Sequence, residues 1–362
     1  MSAPRAVLRI AGDSPGKRGE DRGRQAREGI RRAWSVYEEL FATVAAAHGR
    51  TPDVHRLTLR TVEATRAWAP ALVEEMEGVA EGAGVPFATV AALNARTEIL
   101  AEAGAPRAGE CSTLVDTAGP GPALGGQCWD WHEELAGAWH PQTVTGDLRS
   151  FAGITEHGIL AKIGVNDAGV GVLFNILGHA DDAATGVPVH LVARQVLGTA
   201  GSFAEAVGIL TGAPVSASTV ITVVTADRAA SVELAPGGSA VVAPDERGRL
   251  VRTNHFLDPA LAAGELRGRR EPETYDRHRL LTARVADRPG PFDREALAGL
   301  LAAHREDGAE VCCHAPADGR LGSRWATLAT VAVDPAARSL AVHAGGPCSA
   351  GPTTWTRLTP VS

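Results

Sequence analysis

Long apolar runs are missing from this sequence. No stretch approaches the ~20 consecutive apolar residues of a membrane span, so a membrane partner is not expected. The apolar run near the start, Ala6 to Ala11, is interrupted by Arg9 and lacks the hydrophobic centre of an export signal. Cysteine is sparse: Cys111, Cys128, Cys312, Cys313 and Cys348 are an odd set of 5 in 362 residues, which argues against a disulfide scaffold and for a cytoplasmic protein with reduced thiols. A one-signed charge field is also absent. The 35 basic and 42 acidic residues are mixed along the chain, for a net charge of −7, and leave no basic face for a nucleic acid. Neither a P-loop nor a GxGxxG in a strand-to-helix context occurs, so no motif supports nucleotide binding. There is no solenoid repeat and no heptad run.

What is present is ordinary globular composition, 44% apolar and 21% charged, with few aromatics. From Gln25 to about Leu100 the pattern is helical: Ile30, Trp34, Tyr37, Leu40, Phe41 and Val44 recur at three- and four-residue steps, as do Leu72, Val73, Met76 and Val79. The basic stretch Lys17 to Arg32 interleaves Glu20, Asp21 and Glu28 and reads as a solvated helix face. Residues 101–110 are rich in Gly, Ala and Pro and mark a connection.

From Cys111 the character changes to short apolar runs punctuated by Gly, Asp and Pro, the pattern of strands and hairpins. Helical patterns interrupt them around 190–211, 277–285 and 293–304, and strands resume at ATLATVAVDP and SLAVHAGG. A compact layered domain of packed helices and sheets follows.

A catalytic cysteine needs access, a base and a polar site for an oxyanion, and Cys111 opens a strand directly after a loop. If the Glu110–Cys111 bond were cut, the new α-amine, with an ordinary pKa of about 7.7–8.0, would serve as base for its own thiol near neutral pH. A small buried residue at a strand start is the structural alternative.

The segments NARTEIL (94–100), GECSTL (109–114), GGQCWDW (125–131), GVNDAGVGVLFN (164–175), VVTAD with VELAP (223–236), TNHF (253–256) and AVHAGGPC (341–348) occur in one order. In order and approximate spacing this series resembles the acyl-coenzyme A:6-aminopenicillanate acyltransferase family, from about Gly19 to Cys348. The resemblance implies an α+β, four-layer αββα N-terminal-nucleophile hydrolase fold. It also implies self-processing before a cysteine and a site design similar to that of penicillin V acylases and bile-salt hydrolases. On that basis residues 1–110 are expected to become the smaller subunit and 111–362 the larger, within one folded domain.

Carried over by motif, Cys111 resembles the nucleophile and Asp130 the carboxylate that hydrogen-bonds the α-amine. Asn254 resembles the oxyanion-hole asparagine. Asn175 is a second polar candidate or a turn cap, and Arg324, after Ser323, resembles the arginine beside the nucleophile. Glu110 departs from the glycine that the best-known family members carry before the cysteine, where a bulkier residue bears on the strained turn of autocleavage. Arg96 and Glu98 are expected to form an ion pair that seats the helical part on the sheet, and His255 to pack beside Asn254.

A rival reading places zinc on Cys312, Cys313 and His314 with His343 and Cys348, but adjacent cysteines do not make the CxxC pair that wraps a tetrahedral ion. Neither metal nor cofactor is therefore expected. The expected reaction is hydrolysis of a small N-acyl compound through a Cys111 thioester. Acyl transfer from a thioester or amide to an amine is the alternative, and a non-catalytic binding protein on the same scaffold is the alternative of another class. Expected partners are that small acyl substrate and the chain's own cleaved N-terminal fragment.

Overall fold

The computed structural model describes residues 5–104, 111–118, 121–288 and 290–360. The chain opens with a strand, β1 (Leu8–Gly12), where the sequence pattern suggested only a broken apolar run. The 33-residue helix α1 (Pro15–Ala47) follows; the Ser14 side chain caps it by accepting from the Lys17 N–H, with Pro15 at the first helical position. Of the expected apolar stripe, Ile30, Tyr37, Leu40, Phe41 and Val44 are buried, while Trp34 is only half-buried and Ala33 faces the core beside it. Helices α2 (Val54–Trp68), α3 (Pro70–Ala83), α4 (Phe87–Asn94) and α5 (Arg96–Ala103) complete the helical part.

Helices α1 and α3 approach closely because glycines face each other. A Cβ at Gly19 would lie 2.1 Å from the Glu75 carbonyl oxygen, and one at Gly82 would lie 2.1 Å from that of Glu20. Lys17, Arg24, Arg27, Arg31 and Arg32 of the basic stretch are exposed, as the solvated-face reading expects, and the same contact makes Arg18 and Arg22 the exceptions. Arg18 and Arg22 point inward, to the fully buried carboxylate of Glu75 at 3.2 and 3.4 Å. Arg194 adds a third guanidinium at 2.7 Å. Burial pushes the Glu75 carboxyl up, but these cations outweigh it and hold the group at about 2.

The remaining chain supplies β2 (Ser112–Asp116), β3 (Leu124–His132), β4 (Trp139–Gly146), β5 (Phe151–Glu156), β6 (Ile163–Asn166) and β7 (Gly171–Ile176). Next come α6 (Val189–Thr199), α7 (Phe203–Thr211), β8 (Thr219–Val224), β9 (Ala229–Ala235), β10 (Gly238–Val242) and β11 (Arg249–Arg252). The short α8 (Pro259–Ala262) and α9 (Arg267–Arg270) lead to α10 (Glu273–Ala286), α11 (Arg294–Leu301), β12 (Trp325–Asp334), β13 (Ser339–Ala344) and β14 (Trp355–Leu358). One sheet runs β1-β4-β5-β6-β7-β8-β9-β10 and the other β11-β2-β3-β12-β13-β14. Among the described residues all strand pairings are antiparallel except β1 with β4.

The sheets stack face to face, β2 and β3 lying over β7. Helices α6 and α7 cover the outer face of the larger sheet, and α10 and α11 that of the smaller. The layers are therefore αββα. Strands buried on both faces lose the period-two alternation, which is why β7 and β8 read as nearly continuous apolar runs; β3 and β5 are as deeply buried but carry Gln127, Asp130, His132, Thr155 and Glu156. Cys128 belongs to the layer between the smaller sheet and α10/α11, packed with Leu114, Leu281 and Leu301, whereas Cys111 lies in the main core.

Candidate active site

Cys111 immediately precedes β2, beside the longer strand β3 that carries Asp130. Its side chain is buried, and the Sγ donates to the Asp130 backbone carbonyl at 3.8 Å. The Cys111 carbonyl oxygen accepts from Asn175 Nδ2 at 2.9 Å and from an Arg277 guanidinium N–H at 3.2 Å. Arg277, on α10, also donates to Ser112 Oγ at 3.0 Å and to Asn254 Oδ1 at 3.1 Å. Asn254 Nδ2 donates to the Ile176 carbonyl at 2.8 Å, and its backbone N–H to Thr274 Oγ1 at 2.8 Å.

These bonds fix both amide orientations. The oxygen of Asn254 must face Arg277, a donor-only side chain, so its NH2 group faces the end of β7 with a second N–H to offer. Asn175 accepts from Thr113 Oγ1 at 2.8 Å and so presents its NH2 to Cys111. Strand β7 of one sheet and β2 of the other are thereby locked together at the cysteine.

Burial pushes the Cys111 thiol above its ordinary value, and the Asp130 charge pushes the same way; Lys162 opposes both. Lys162 is itself buried, 3.2 Å from Glu156 and 4.0 Å above the Trp129 ring, and burial lowers it to about 8. Glu156 also takes Arg96 at 2.7 Å and the Tyr37 hydroxyl. Burial raises its carboxyl, but Arg96 and Lys162 prevail and keep it well below the usual carboxylate range.

The expected Arg96–Glu98 pair does not form. Residues two apart on α5 leave the helix on different sides, so Arg96 reaches β5 through Glu156 while Glu98 accepts from the Val189 N–H at 2.9 Å. Burial lifts the Glu98 carboxyl to about 7. His255 sits between Thr253 Oγ1 and Thr274 Oγ1, at 3.1 and 3.2 Å from its Nδ1, and burial lowers it to about 3.

Arg324 lies elsewhere from the contacts just described: it donates to the Pro316 carbonyl at 3.2 Å and approaches Glu134 at 3.7 Å, with Ser323 bonded to the Arg320 carbonyl. The guanidinium on the Cys111 carbonyl is that of Arg277. Glu110 falls outside the described residues. Cys312 and Cys313 face opposite ways. Cys313 Sγ donates to Asp130 Oδ2 at 3.6 Å, whereas Cys312 Sγ meets Cys348 Sγ at 3.5 Å and His314 Nε2 at 3.7 Å, with His304 alongside. His343 bonds Ser349 Oγ instead, at 3.0 Å.

Sequence reasoning missed Arg277, Lys162, Glu156 and His304. A signal existed for Arg277: it shares the buried stripe of α10 with Thr274, Leu281 and Val285, an arginine where the periodicity calls for an apolar residue. A cleft borders the Asn254 contact, lined by Thr97, Leu100, Ile176, His179, Arg267 and Arg270.

Two stacked sheets between helical layers, with a polar pocket built around a strand-opening residue, define the α+β N-terminal-nucleophile hydrolase fold. The chain belongs to the acyl-coenzyme A:6-aminopenicillanic acid acyl-transferase family, whose model matches residues 119–348, and is thereby an enzyme of the acyltransferase and amidohydrolase class. It is 31% identical over 316 residues, 85% of each protein, to the acyl-coenzyme A:6-aminopenicillanic-acid-acyltransferase 40 kDa form of Emericella nidulans. Among solved structures it is similar to a Caenorhabditis elegans ortholog of N-acylethanolamine-hydrolyzing acid amidase, with 16% identity, 62% of this chain and 93% of that one covered, and a TM-score of 0.46. A mutant of the conjugated bile acid hydrolase of Clostridium perfringens gives 11% identity, 69% and 92% coverage and a TM-score of 0.45. Among the described residues no helix is long and apolar enough to cross a membrane.

Proposed function

We infer that Cys111 becomes an N-terminal nucleophile and that the mature enzyme cleaves the amide bond of a small N-acyl compound. The observation that carries this reading is the double clamp on the Cys111 carbonyl by Asn175 and Arg277, which fixes the residue directly after the bond to be cut. In maturation the Cys111 sulfur attacks the Glu110 carbonyl carbon, the Glu110–Cys111 C–N bond breaks, and water hydrolyses the resulting ester of sulfur. This leaves a Glu110 carboxylate and a Cys111 α-amine.

In turnover that amine takes the thiol proton through a water molecule, and the thiolate attacks the substrate carbonyl. Asn254 donates to the oxyanion through the N–H that Ile176 does not use. The nitrogen leaves with a proton, and water discharges the thioester. Asp130 holds the ammonium form in place. The cleft beside Ile176, with Arg50 and Arg270 on its wall and Arg267 already paired with Glu271, suits an acyl compound bearing a carboxylate or another anionic group. Transfer of the acyl group to an amine is the second reading, favoured by the activity named for the Emericella relative.

Residues 1–110 remain attached as the smaller subunit, since the Glu75–Arg194 and Arg96–Glu156 pairs and the β1–β4 pairing all cross the cut. Intact mass of the wild type beside Cys111→Ala tests the reading. Two fragments meeting between Glu110 and Cys111 in the wild type alone are expected; a single uncut chain in both removes the α-amine from the mechanism.

A further inference from the structure

Away from the nucleophile, four side chains aim lone-pair atoms at one point. His304 follows α11, Cys312 and His314 stand on the loop before β12, and Cys348 comes from the turn after β13. Their Nε2 and Sγ atoms form the edges of a small polyhedron: Cys312 to Cys348 3.5 Å, Cys312 to His314 3.7 Å, Cys348 to His314 3.5 Å, and His304 to His314 3.2 Å. All four ligand atoms lie within 4.8 Å of one another.

Zinc bonds of about 2.3 Å to sulfur and about 2.05 Å to nitrogen, placed tetrahedrally, give edges of about 3.8 Å for S–S, about 3.6 Å for S–N and about 3.3 Å for N–N. These four edges lie within about 0.3 Å of the ideal values, and the two that join His304 to the sulfurs are no longer than 4.8 Å. Hydrogen bonding alone accounts poorly for the arrangement, because thiols are weak donors and a neutral imidazole carries a single N–H. We propose that His304, Cys312, His314 and Cys348 form a structural Cys2His2 site for a tetrahedral divalent ion, zinc.

The surroundings are shaped for it. A Cβ at Gly346 would lie 2.5 Å from Cys312 Sγ, so a glycine there leaves the Cys312 sulfur where it is. The loop that carries Cys312 is held by its N–H to the Ala303 carbonyl at 2.9 Å, next to the first ligand. Cys312 is buried while His314 and Cys348 are exposed, which gives the ion a route from solvent.

On binding, each thiol loses its proton to solvent and two thiolates with two neutral imidazoles surround the cation. The ion joins the 304–314 segment to the 347–349 turn. Between two of its ligands stands Cys313, whose thiol meets the Asp130 carboxylate, so the site anchors the peptide lying against that group. A Cys312–Cys348 disulfide is the competing use of these sulfurs, but it would leave the convergence of both imidazoles without a purpose.

The test takes the full-length protein, purified under reducing conditions, through elemental analysis and then, after chelation, titration with Co2+ alone. Wild type is expected to carry about one zinc per chain, and the cobalt form to show tetrahedral d–d bands with thiolate-to-metal charge transfer. Cys348→Ser and His314→Ala, both at exposed positions, should lose the zinc, whereas Cys313→Ser should keep it. A wild type without zinc that takes up no cobalt overturns the proposal. So does equal metal content in Cys348→Ser and His314→Ala, or a Cys312–Cys348 disulfide in a non-reducing peptide map of freshly isolated protein.

Discussion

Replacing Glu75 by glutamine keeps the shape of the side chain and removes one negative charge from a pocket that holds Arg18, Arg22 and Arg194. Two routes give the cost. Taking one partner out of a buried ion cluster leaves uncompensated charge and typically costs about 3–5 kcal/mol. Independently, the carboxyl is held at about 2 against an ordinary 4.5, a gap worth about 3 kcal/mol of stability at neutral pH. The sign follows from the lowered value: the contribution is complete above about pH 4.5 and is lost as pH falls toward about 2. Urea unfolding of wild type and Glu75→Gln at pH 7 should therefore separate the midpoints by roughly 1 M, for a slope near 3 kcal/mol per M. The separation should close as both proteins are taken toward pH 2. Coincident midpoints at pH 7, or a difference that does not shrink in acid, would refute the reasoning.

Under the mechanism proposed above, Asn254→Ala should lower kcat by about 10²–10³ with far less change in KM, because the variant lacks the N–H assigned to the oxyanion; steady-state kinetics reads this, and a loss confined to KM counts against it. Glu98→Gln should stabilise the protein at alkaline pH. The Glu98 carboxyl is raised to about 7, so its protonated form is the folded partner of the Val189 N–H, and stability is lost as pH rises from about 4.5 through about 7. Thermal melts should show the variant ahead by up to about 3 kcal/mol at pH 8 and level with wild type at pH 4.

How far the site was legible depended on how local each signal was. Cys111, just ahead of β2, and Asp130, on β3, belong to one hairpin, each announced by a turn-bounded apolar run, and Asn175 closes such a run. The guanidinium at the cysteine was not legible. Arg277 reaches Cys111 across 166 positions from a helix on the outside of the other face, and Arg324 occupied the more familiar context in the sequence while pointing to Glu134. Charge reading failed in the same way at Arg18. Interleaved acids made it look solvated, yet its partner Glu75 lies 57 residues later, and only the close crossing of α1 and α3 brings the two together. Spacing rules for metal ligands likewise weigh neighbours along the chain. In the site proposed above, the two cysteines, Cys312 and Cys348, are 36 residues apart.

Strand β1 pairs in parallel with β4 along Leu8–Gly12, so the first residues of the chain close one border of the eight-stranded sheet. Residues 111–362 produced alone would present Gln142–Gly146 as an open row of amide and carbonyl groups, the geometry on which a second chain adds its own strand. If the proposed cleavage occurs, the segment ahead of Cys111 is a permanent cover for this border: a separately synthesised N-terminal piece should rescue solubility only if it includes β1.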